Sequence, residues 1–231
     1  MEYSPLLSIL TAVFEIAAVY WALKSPGRKP IILTSATLLL LLASYQVLEV
    51  LICSSGLDAR FLNRLAFIMI TWLPPTGILL IAHLHTVKTR ALYRYTGLMY
   101  TLAFIIVIWI LLDKNFVTET VCTVVFARYA NPMPRYIAYC VFFDTGLLSM
   151  VVLSTYGFKT IKDFHQRRLL KQILTGTLSF IIPSVITVML ISNRSGSMLS
   201  IMCHYALLLA IFITRLIYLE RKQAEKLIEN K

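Results

Sequence analysis

The sequence predicts an all-α membrane protein, a bundle of seven transmembrane helices with its N-terminus outside and its C-terminus in the cytoplasm. Two observations lead to this class: 58% of the residues are hydrophobic and only 14% are charged, and the apolar residues form seven segments near bilayer length. Because a helix rises about 1.5 Å per residue, about 20 residues cross a hydrocarbon core roughly 30 Å thick. The segments are Leu6–Leu23, Ile31–Cys53, Leu65–His83, Tyr93–Leu112, Tyr136–Tyr156, Ile173–Ser192 and Met198–Leu219.

The composition excludes most other classes. A soluble domain carries a charged fraction of about 25%, and a membrane barrel shows short alternating segments instead of long apolar runs. The seven segments leave only short loops, one longer loop and a tail, which is too little chain for a soluble catalytic domain. We therefore expect one transmembrane domain, residues 1–220, followed by a charged cytoplasmic tail, residues 221–231.

The positive charges predict the orientation. With the N-terminus outside, sixteen Lys and Arg residues fall on the inner side and six on the outer side, as the positive-inside rule requires. The net charge of +11 then needs no nucleic acid, since basic inner loops lie against anionic lipid headgroups. The expected location is a cell membrane, crossed several times. The inner set is Lys24, Arg28, Lys29, Lys88, Arg90, Arg94, Lys159, Lys162, Arg167, Arg168, Lys171, Arg215, Arg221, Lys222, Lys226 and Lys231, and the outer set is Arg60, Arg64, Lys114, Arg128, Arg135 and Arg194.

Two of the four cysteines form a candidate pair. Cys53 and Cys122 fall at or beyond outer helix ends, where the compartment can be oxidising, whereas Cys140 and Cys203 lie inside helices. A Cys53–Cys122 disulfide would tie the longest loop to the second helix. The alternative is that both remain unpaired small apolar residues.

The longest loop and the prolines mark places of special structure. Within the outer loop 113–135, the segment Thr118–Tyr129 is rich in Val and Thr, which is typical of a short strand or a hairpin. A long outer loop over a bundle is either a functional lid or a connector. Pro74-Pro75 and Pro183 predict kinks in the third and sixth helices, because proline removes a backbone hydrogen bond.

Polar side chains inside the bilayer predict a candidate binding layer, since intramembrane charges are costly and usually functional. Six residues from four helices fall at a similar depth, on the order of 10 Å below the outer surface. We call them the outer polar layer, and we expect either a pocket that binds a polar ligand or proton or a set of helix-to-helix contacts. Glu15, alone at its depth, predicts a helix-to-helix hydrogen bond. The outer polar layer comprises Gln46, Glu49, Trp72, Asp144, His204 and Tyr205.

No catalytic, metal or cofactor site is expected from the sequence. Gly-x-Ser-x-Gly, Walker-type and His-Glu-x-x-His motifs are absent from it. His83 and His85 point about 200° apart on a helix, which is poor geometry for one metal ion. Helix 7 carries no Lys that could form a Schiff base with retinal. The sequence therefore predicts a protein that is not an enzyme.

The order of these features resembles a known family. Helix 1 ends in the basic turn Lys24–Pro30, helix 2 ends in Tyr45–Glu49, and helix 3 begins at Arg64–Ile68 and continues into Leu73-Pro74-Pro75. A longer outer loop follows helix 4 and a charged helix leaves helix 7. This layout resembles the N-terminal seven-transmembrane sensor region of bacterial histidine kinases, which implies an outward stimulus site and an inward signal through helix 7. The resemblance departs at the end, because no kinase domain follows Lys231.

The expected function is that of a sensor. A small ligand or proton would bind the outer polar layer from outside, and helix 7 would signal to a cytoplasmic effector protein. A small transporter or channel is the first alternative, with the same carboxylates forming a proton or substrate path. A non-catalytic subunit of a larger membrane complex is the second, in which case other membrane subunits are the partners.

Overall fold

The computed structural model describes residues 5–54, 59–85, 90–122, 127–130, 133–190, 201–202 and 204–229. Long helices dominate these residues, and a two-stranded hairpin lies between the fifth and sixth of them. In chain order the elements are α1 Leu6–Lys24, α2 Lys29–Ser54, α3 Ala59–Thr71, α4 Leu73–Leu84, α5 Arg90–Leu112, β1 Glu119–Cys122, β2 Ala127–Ala130, α6 Met133–Thr160, α7 Phe164–Leu190 and α8 Ala206–Glu229.

Six stretches of helix among the described residues are long and apolar enough to cross a membrane. They are α1, α2, the pair α3–α4 taken together, α5, α6 and α7. The chain is therefore a multi-pass helical membrane protein by length and composition. The predicted seventh span begins at Met198, and residues 198–200 lie outside the described part of the chain. The count of seven and the orientation stay predictions.

Several helices are longer than their apolar segments. The sixth segment was predicted from Ile173, but α7 begins at Phe164, within the predicted inner loop. The backbone N–H of Gln166 donates to the Asp163 carboxylate (2.9 Å), which is the N-cap bond expected of an aspartate just before a helix. A pattern of apolar runs misses this first turn because three of its four residues, His165, Gln166 and Arg167, are polar. Likewise, the predicted tail continues α8 to Glu229.

Pro74-Pro75 divides the third span. The chain leaves α3 at Thr71, and α4 begins two residues later at Leu73, with Pro74 at its second position. Proline is tolerated in the first turn of a helix because the N–H groups there have no intrahelical acceptor. Trp72 is the residue at this break, between the two helices.

The centre of the bundle is α4. Ten of its twelve residues are buried, and it packs against α2, α5, α6 and α7. Its approach to α6 is close at Gly146, where an added Cβ would lie 2.4 Å from the Cβ of Pro74. Only glycine allows this helix crossing, because any side chain at position 146 would overlap the proline ring.

The hairpin predicted over the outer end is present. β1 and β2 pair antiparallel, with Glu119 opposite Ala130 and Cys122 opposite Ala127. Cys53 and Cys122, the pair singled out in the sequence, are joined by a disulfide whose Cα atoms are 5.7 Å apart. The Asn63 side-chain amide also donates to the Thr120 hydroxyl. The hairpin is thus fastened to both α2 and α3.

An aromatic cluster lies below the start of the loop 113–135. Phe116 is fully buried, and its ring meets Phe67 (centroids 5.2 Å apart), Trp109 (5.6 Å) and Tyr139 (6.0 Å) edge to face. Such pairs add about 0.5–1.5 kcal/mol each beyond the apolar area they bury. The loop residue Phe116 therefore packs as part of the core formed by α3, α5 and α6.

The disulfide is expected to stabilise the fold. Replacing both Cys53 and Cys122 by Ser should lower the free energy of unfolding by about 2–4 kcal/mol, because the bond closes a long loop in the unfolded chain. Denaturant titration in detergent micelles, followed by circular dichroism, measures this difference. The control is Cys140→Ala, which removes a thiol outside the disulfide. Equal stability of the double variant and the control would contradict the prediction.

Candidate functional site

The two α2 members of the outer polar layer are buried. Gln46 is 1% exposed and Glu49 is 0% exposed, and both make polar interactions. They lie three residues apart, so they occupy neighbouring positions on one face of α2. A buried carboxyl group beside a buried amide is the part of the layer that fits a polar pocket best.

Trp72 and Tyr205 contact two other helices. The Trp72 ring lies 6.1 Å from the ring of Tyr100 on α5, and the Tyr100 hydroxyl is 3.1 Å from that of Thr76. The Tyr205 hydroxyl, at the start of α8, is 2.8 Å from the Thr187 hydroxyl on α7. These two members of the layer therefore contribute to helix packing as well as to any pocket.

The remaining two members differ in exposure. His204 is half-buried and its side chain has an interaction partner. Asp144 is exposed on the surface of α6, whose neighbouring exposed residues are Ile137, Val141 and Leu148. The sequence predicted the depth of Asp144 in the bilayer, and the structure adds that its side chain lies on the outer surface of the described bundle.

Glu15 differs from the expectation. Its side chain is fully buried in α1, but neither carboxyl oxygen has a hydrogen-bond partner among the described residues. The predicted helix-to-helix hydrogen bond is therefore absent from that part of the chain. The buried face of α1 around it carries Thr11, Ala12 and Ala18, and the Thr11 hydroxyl, one turn before Glu15, is not hydrogen-bonded to the carboxyl group.

Removing the ionisable group of Glu15 should cost little. An unpaired buried charge is expensive, so Glu15→Gln is expected to change the free energy of unfolding by less than about 1 kcal/mol. Thermal unfolding in micelles, read by circular dichroism, measures the change. A loss of several kcal/mol would show that the carboxylate has a partner that the described contacts do not contain.

A second polar cluster lies at the other end of the bundle. The Glu220 carboxylate accepts hydrogen bonds from the Arg28 backbone N–H (3.1 Å) and from Arg28 Nε (2.7 Å) and Nη2 (2.9 Å). His165 Nε2 lies 3.1 Å from the second carboxylate oxygen. These three residues, which we call the Glu220 cluster, join the α1–α2 turn, the first turn of α7 and α8.

Gly27 and Gln166 lie beside the Glu220 cluster and support its geometry. Gly27 has a φ of 155°, and an added Cβ would lie 3.0 Å from the Cγ of Glu220, so a side chain here is disfavoured by conformation and by space. The Gln166 amide, in the orientation that satisfies both its ends, donates to the Leu84 carbonyl (2.8 Å) and accepts from Arg28 (3.3 Å). The cluster is therefore backed by further hydrogen bonds to α4 and α7.

Sequence reasoning missed the Glu220 cluster. Arg28 is one of the inner cations of the sequence, and no local pattern links it or His165 to Glu220. One signal was present: Leu216 and Ala224, four residues to either side of Glu220, carry no charge. An acidic residue with no partner on its own helix is a candidate for a partner elsewhere, but the sequence does not say which.

The electrostatics of Glu220 follow from its contacts. Burial raises the pKa of the Glu220 carboxyl, but the hydrogen bonds from Arg28 and His165 and the Arg28 charge lower it more, so the pKa lies below its usual 4.5. A carboxyl whose pKa is lower in the folded state stabilises the fold above its unfolded pKa. That contribution is lost as the pH falls below about 4.5 and through the folded pKa.

The Glu220→Gln variant tests this contribution. At pH 7 we expect a loss of about 1–2 kcal/mol in the free energy of unfolding, since charged hydrogen bonds are replaced by weaker ones. The difference from the unmodified protein should shrink as the pH is lowered from 4.5 towards 3. Denaturant titrations at several pH values measure it.

The matched control is Glu225→Gln. Glu225 pairs with Arg221 four residues away, but its side chain is 45% exposed, and such pairs contribute only about 0.3–0.5 kcal/mol. Equal effects of the two substitutions at pH 7 would contradict the assignment of Glu220 as the buried anchor.

The described residues also limit the chemistry available. Within them, no group of three or more His, Cys, Asp or Glu side chains is placed to hold a metal ion. The polar groups that the described part of the chain does bring together are hydrogen-bonding and ion-pairing groups, which suit binding and helix coupling.

Comparison with known proteins adds no family. No model of a known protein family matches the sequence, and no curated protein matches it. The functional conclusion therefore depends on the fold and on the two polar clusters described above.

Proposed function

We propose that this chain is a membrane sensor that passes a stimulus from the outer polar layer to a cytoplasmic partner through α8. A small polar ligand or a proton binds among Gln46, Glu49 and His204, with the other members of the layer around it. In this proposal the chain has seven spanning helices, and its N-terminus lies outside the cell. The layout shared with the sensor regions of bacterial histidine kinases supports this direction of signalling.

One observation carries the proposal: α8 connects both polar clusters. Tyr205, directly before α8, is hydrogen-bonded to Thr187, and fifteen residues later Glu220 is bound to Arg28 and His165. At about 1.5 Å per residue this is a distance of about 22 Å along one uninterrupted helix. A displacement of α8 near Tyr205 would therefore also move Glu220.

The packing of α8 fits such a role. A continuous buried face runs along it, formed by Leu209, Ala210, Ile213, Leu216 and Ile217. This face packs against α7, α2 and α1. Because packed helices have discrete arrangements, a ligand that binds one arrangement better shifts the population towards it. The helix then continues past Glu220 to Glu229, where a partner can contact its charged surface.

A distance measurement tests the proposal. Spin labels at the exposed positions Lys162 and Lys226 (Lys162→Cys and Lys226→Cys, with Cys140 and Cys203 replaced by Ala) report how α8 sits against the start of α7 in lipid nanodiscs. We expect the distance distribution to change when protons (pH 7.5 to 5.5) or a panel of amino acids, carboxylates and amines are added. Double electron–electron resonance measures the change.

Variants separate signalling from general effects. Glu49→Gln or His204→Gln should abolish the response. His85→Gln is the control, because His85 follows the end of α4 that lies away from Trp72, and this variant should retain the response. No response to any probe would contradict the sensor proposal. Substrate or proton flux through liposomes containing the protein would instead support the transporter alternative.

A further inference from the structure

A basic groove runs between α7 and α8 at the end of the bundle where α7 begins. Its volume is about 480 Å³, within the range of about 300–1,000 Å³ that is typical of ligand sites. Four cations line it and no Asp or Glu side chain does. The lining, which defines the basic groove, is Phe158, Phe164, Arg167, Arg168, Lys171, Gln172, Thr175, Phe212 and Arg215.

The α7 residues of the groove occupy one helix face. From Phe164 to Thr175, each of them lies three or four residues from another, which places them in one stripe. Arg167 is held over the ring of Phe158 on α6, with its guanidinium carbon 4.4 Å from the ring centroid. Four cations therefore share one concave surface.

The Glu220 cluster fixes the depth of the basic groove. His165 and Glu220 lie at the same level because they are hydrogen-bonded. Lys171 is six residues further along α7, about 9 Å, and Arg215 is five residues back along α8, about 7.5 Å. Because the two helices run in opposite directions, Lys171 and Arg215 reach nearly the same level, inside the surface marked by Glu220.

The walls of the groove change character with depth. Phe212 lies about one turn deeper than Arg215 on α8 and packs at Gly176, where an added Cβ would be 2.8 Å from the Phe212 Cβ. Gln172 is only 6% exposed, and its side-chain carbonyl oxygen has no hydrogen-bond partner among the described residues. The cations Lys171 and Arg215, with the Phe212 ring below them, match the order of groups in a phospholipid, whose phosphate precedes its acyl chains.

We propose that the basic groove binds one anionic phospholipid of the bilayer leaflet on the side where α7 begins. Lys171 and Arg215 contact the lipid phosphate, Arg167 and Arg168 contribute to the positive field around it, and the acyl chains lie against Phe212. Charge complementarity selects an anionic lipid. Bridging of α7 and α8 by the lipid would stabilise their contact.

Native mass spectrometry of the full chain in detergent tests the proposal with phosphatidylglycerol as the probe and phosphatidylcholine as the neutral comparison. We expect one phosphatidylglycerol to bind preferentially. The double variant Lys171→Gln/Arg215→Gln should weaken this binding about 30-fold, since each cation near a lipid surface contributes about 1 kcal/mol.

Matched variants keep the test specific. Arg90→Gln/Arg94→Gln removes the same charge from exposed positions on α5 and should leave binding unchanged. Lys171→Arg/Arg215→Lys keeps both charges and should also bind. Equal weakening by the α5 variant, or equal binding of the two lipids, would overturn the proposal.

A free phosphate is the remaining source of the same chemistry. Glycerol 3-phosphate at millimolar concentration should not displace the bound phosphatidylglycerol, because it lacks the acyl chains that contact the Phe212 ring. Displacement would show that the groove takes a soluble phosphate compound and would overturn the assignment of a membrane lipid.

Discussion

The Glu220 carboxylate is the contact on which the arrangement of the bundle end depends. It receives three hydrogen bonds from Arg28 and lies within bonding distance of His165. The side chain is only 4% exposed, so its charge has lost most of its water. A buried carboxylate is tolerated only where donors replace that water. The α1–α2 turn, α7 and α8 are thereby held to one point.

Other features of the structure follow from that point. Gly27 leaves no room for a side chain beside Glu220, so the turn before α2 is closed tightly over α8. The level of the basic groove is set by how far Lys171 and Arg215 lie from it along their helices. The proposed signal also ends there, because the last turns of α8 begin where the cluster holds the helix.

Much of the fold could be predicted from the sequence because hydropathy and helix length are local properties. Apolar runs located the spanning stretches, the double proline located the break at Trp72, and the positions of Cys53 and Cys122 indicated the pair that the structure joins. The beginning of α7 at Phe164 was missed because its first turn is polar. Hydropathy records what lies in the bilayer and not how far a helix continues beyond it.

The candidate site was harder to predict because depth and facing are different properties. Counting residues placed Asp144 and His204 at one level, but which way a side chain points depends on the packing of neighbouring helices. Asp144 lies along a row of exposed apolar residues, Ile137, Val141 and Leu148, and that row could have been read from the helical spacing. The Glu220 cluster joins residues 192 positions apart, a separation that no local pattern encodes.

The disulfide of the β1–β2 hairpin also has a consequence for the order of membrane insertion and folding. Cys53 and Cys122 are 69 residues apart, with the α3–α4 span and α5 between them, so the bond cannot close until both of those spans have been inserted. Cys122 must also have reached an oxidising compartment. Phe116 can take its place among Phe67, Trp109 and Tyr139 only after α6 has arrived to supply Tyr139. The disulfide therefore forms only after the first four spans are in place, and Phe116 takes its final position only after the fifth.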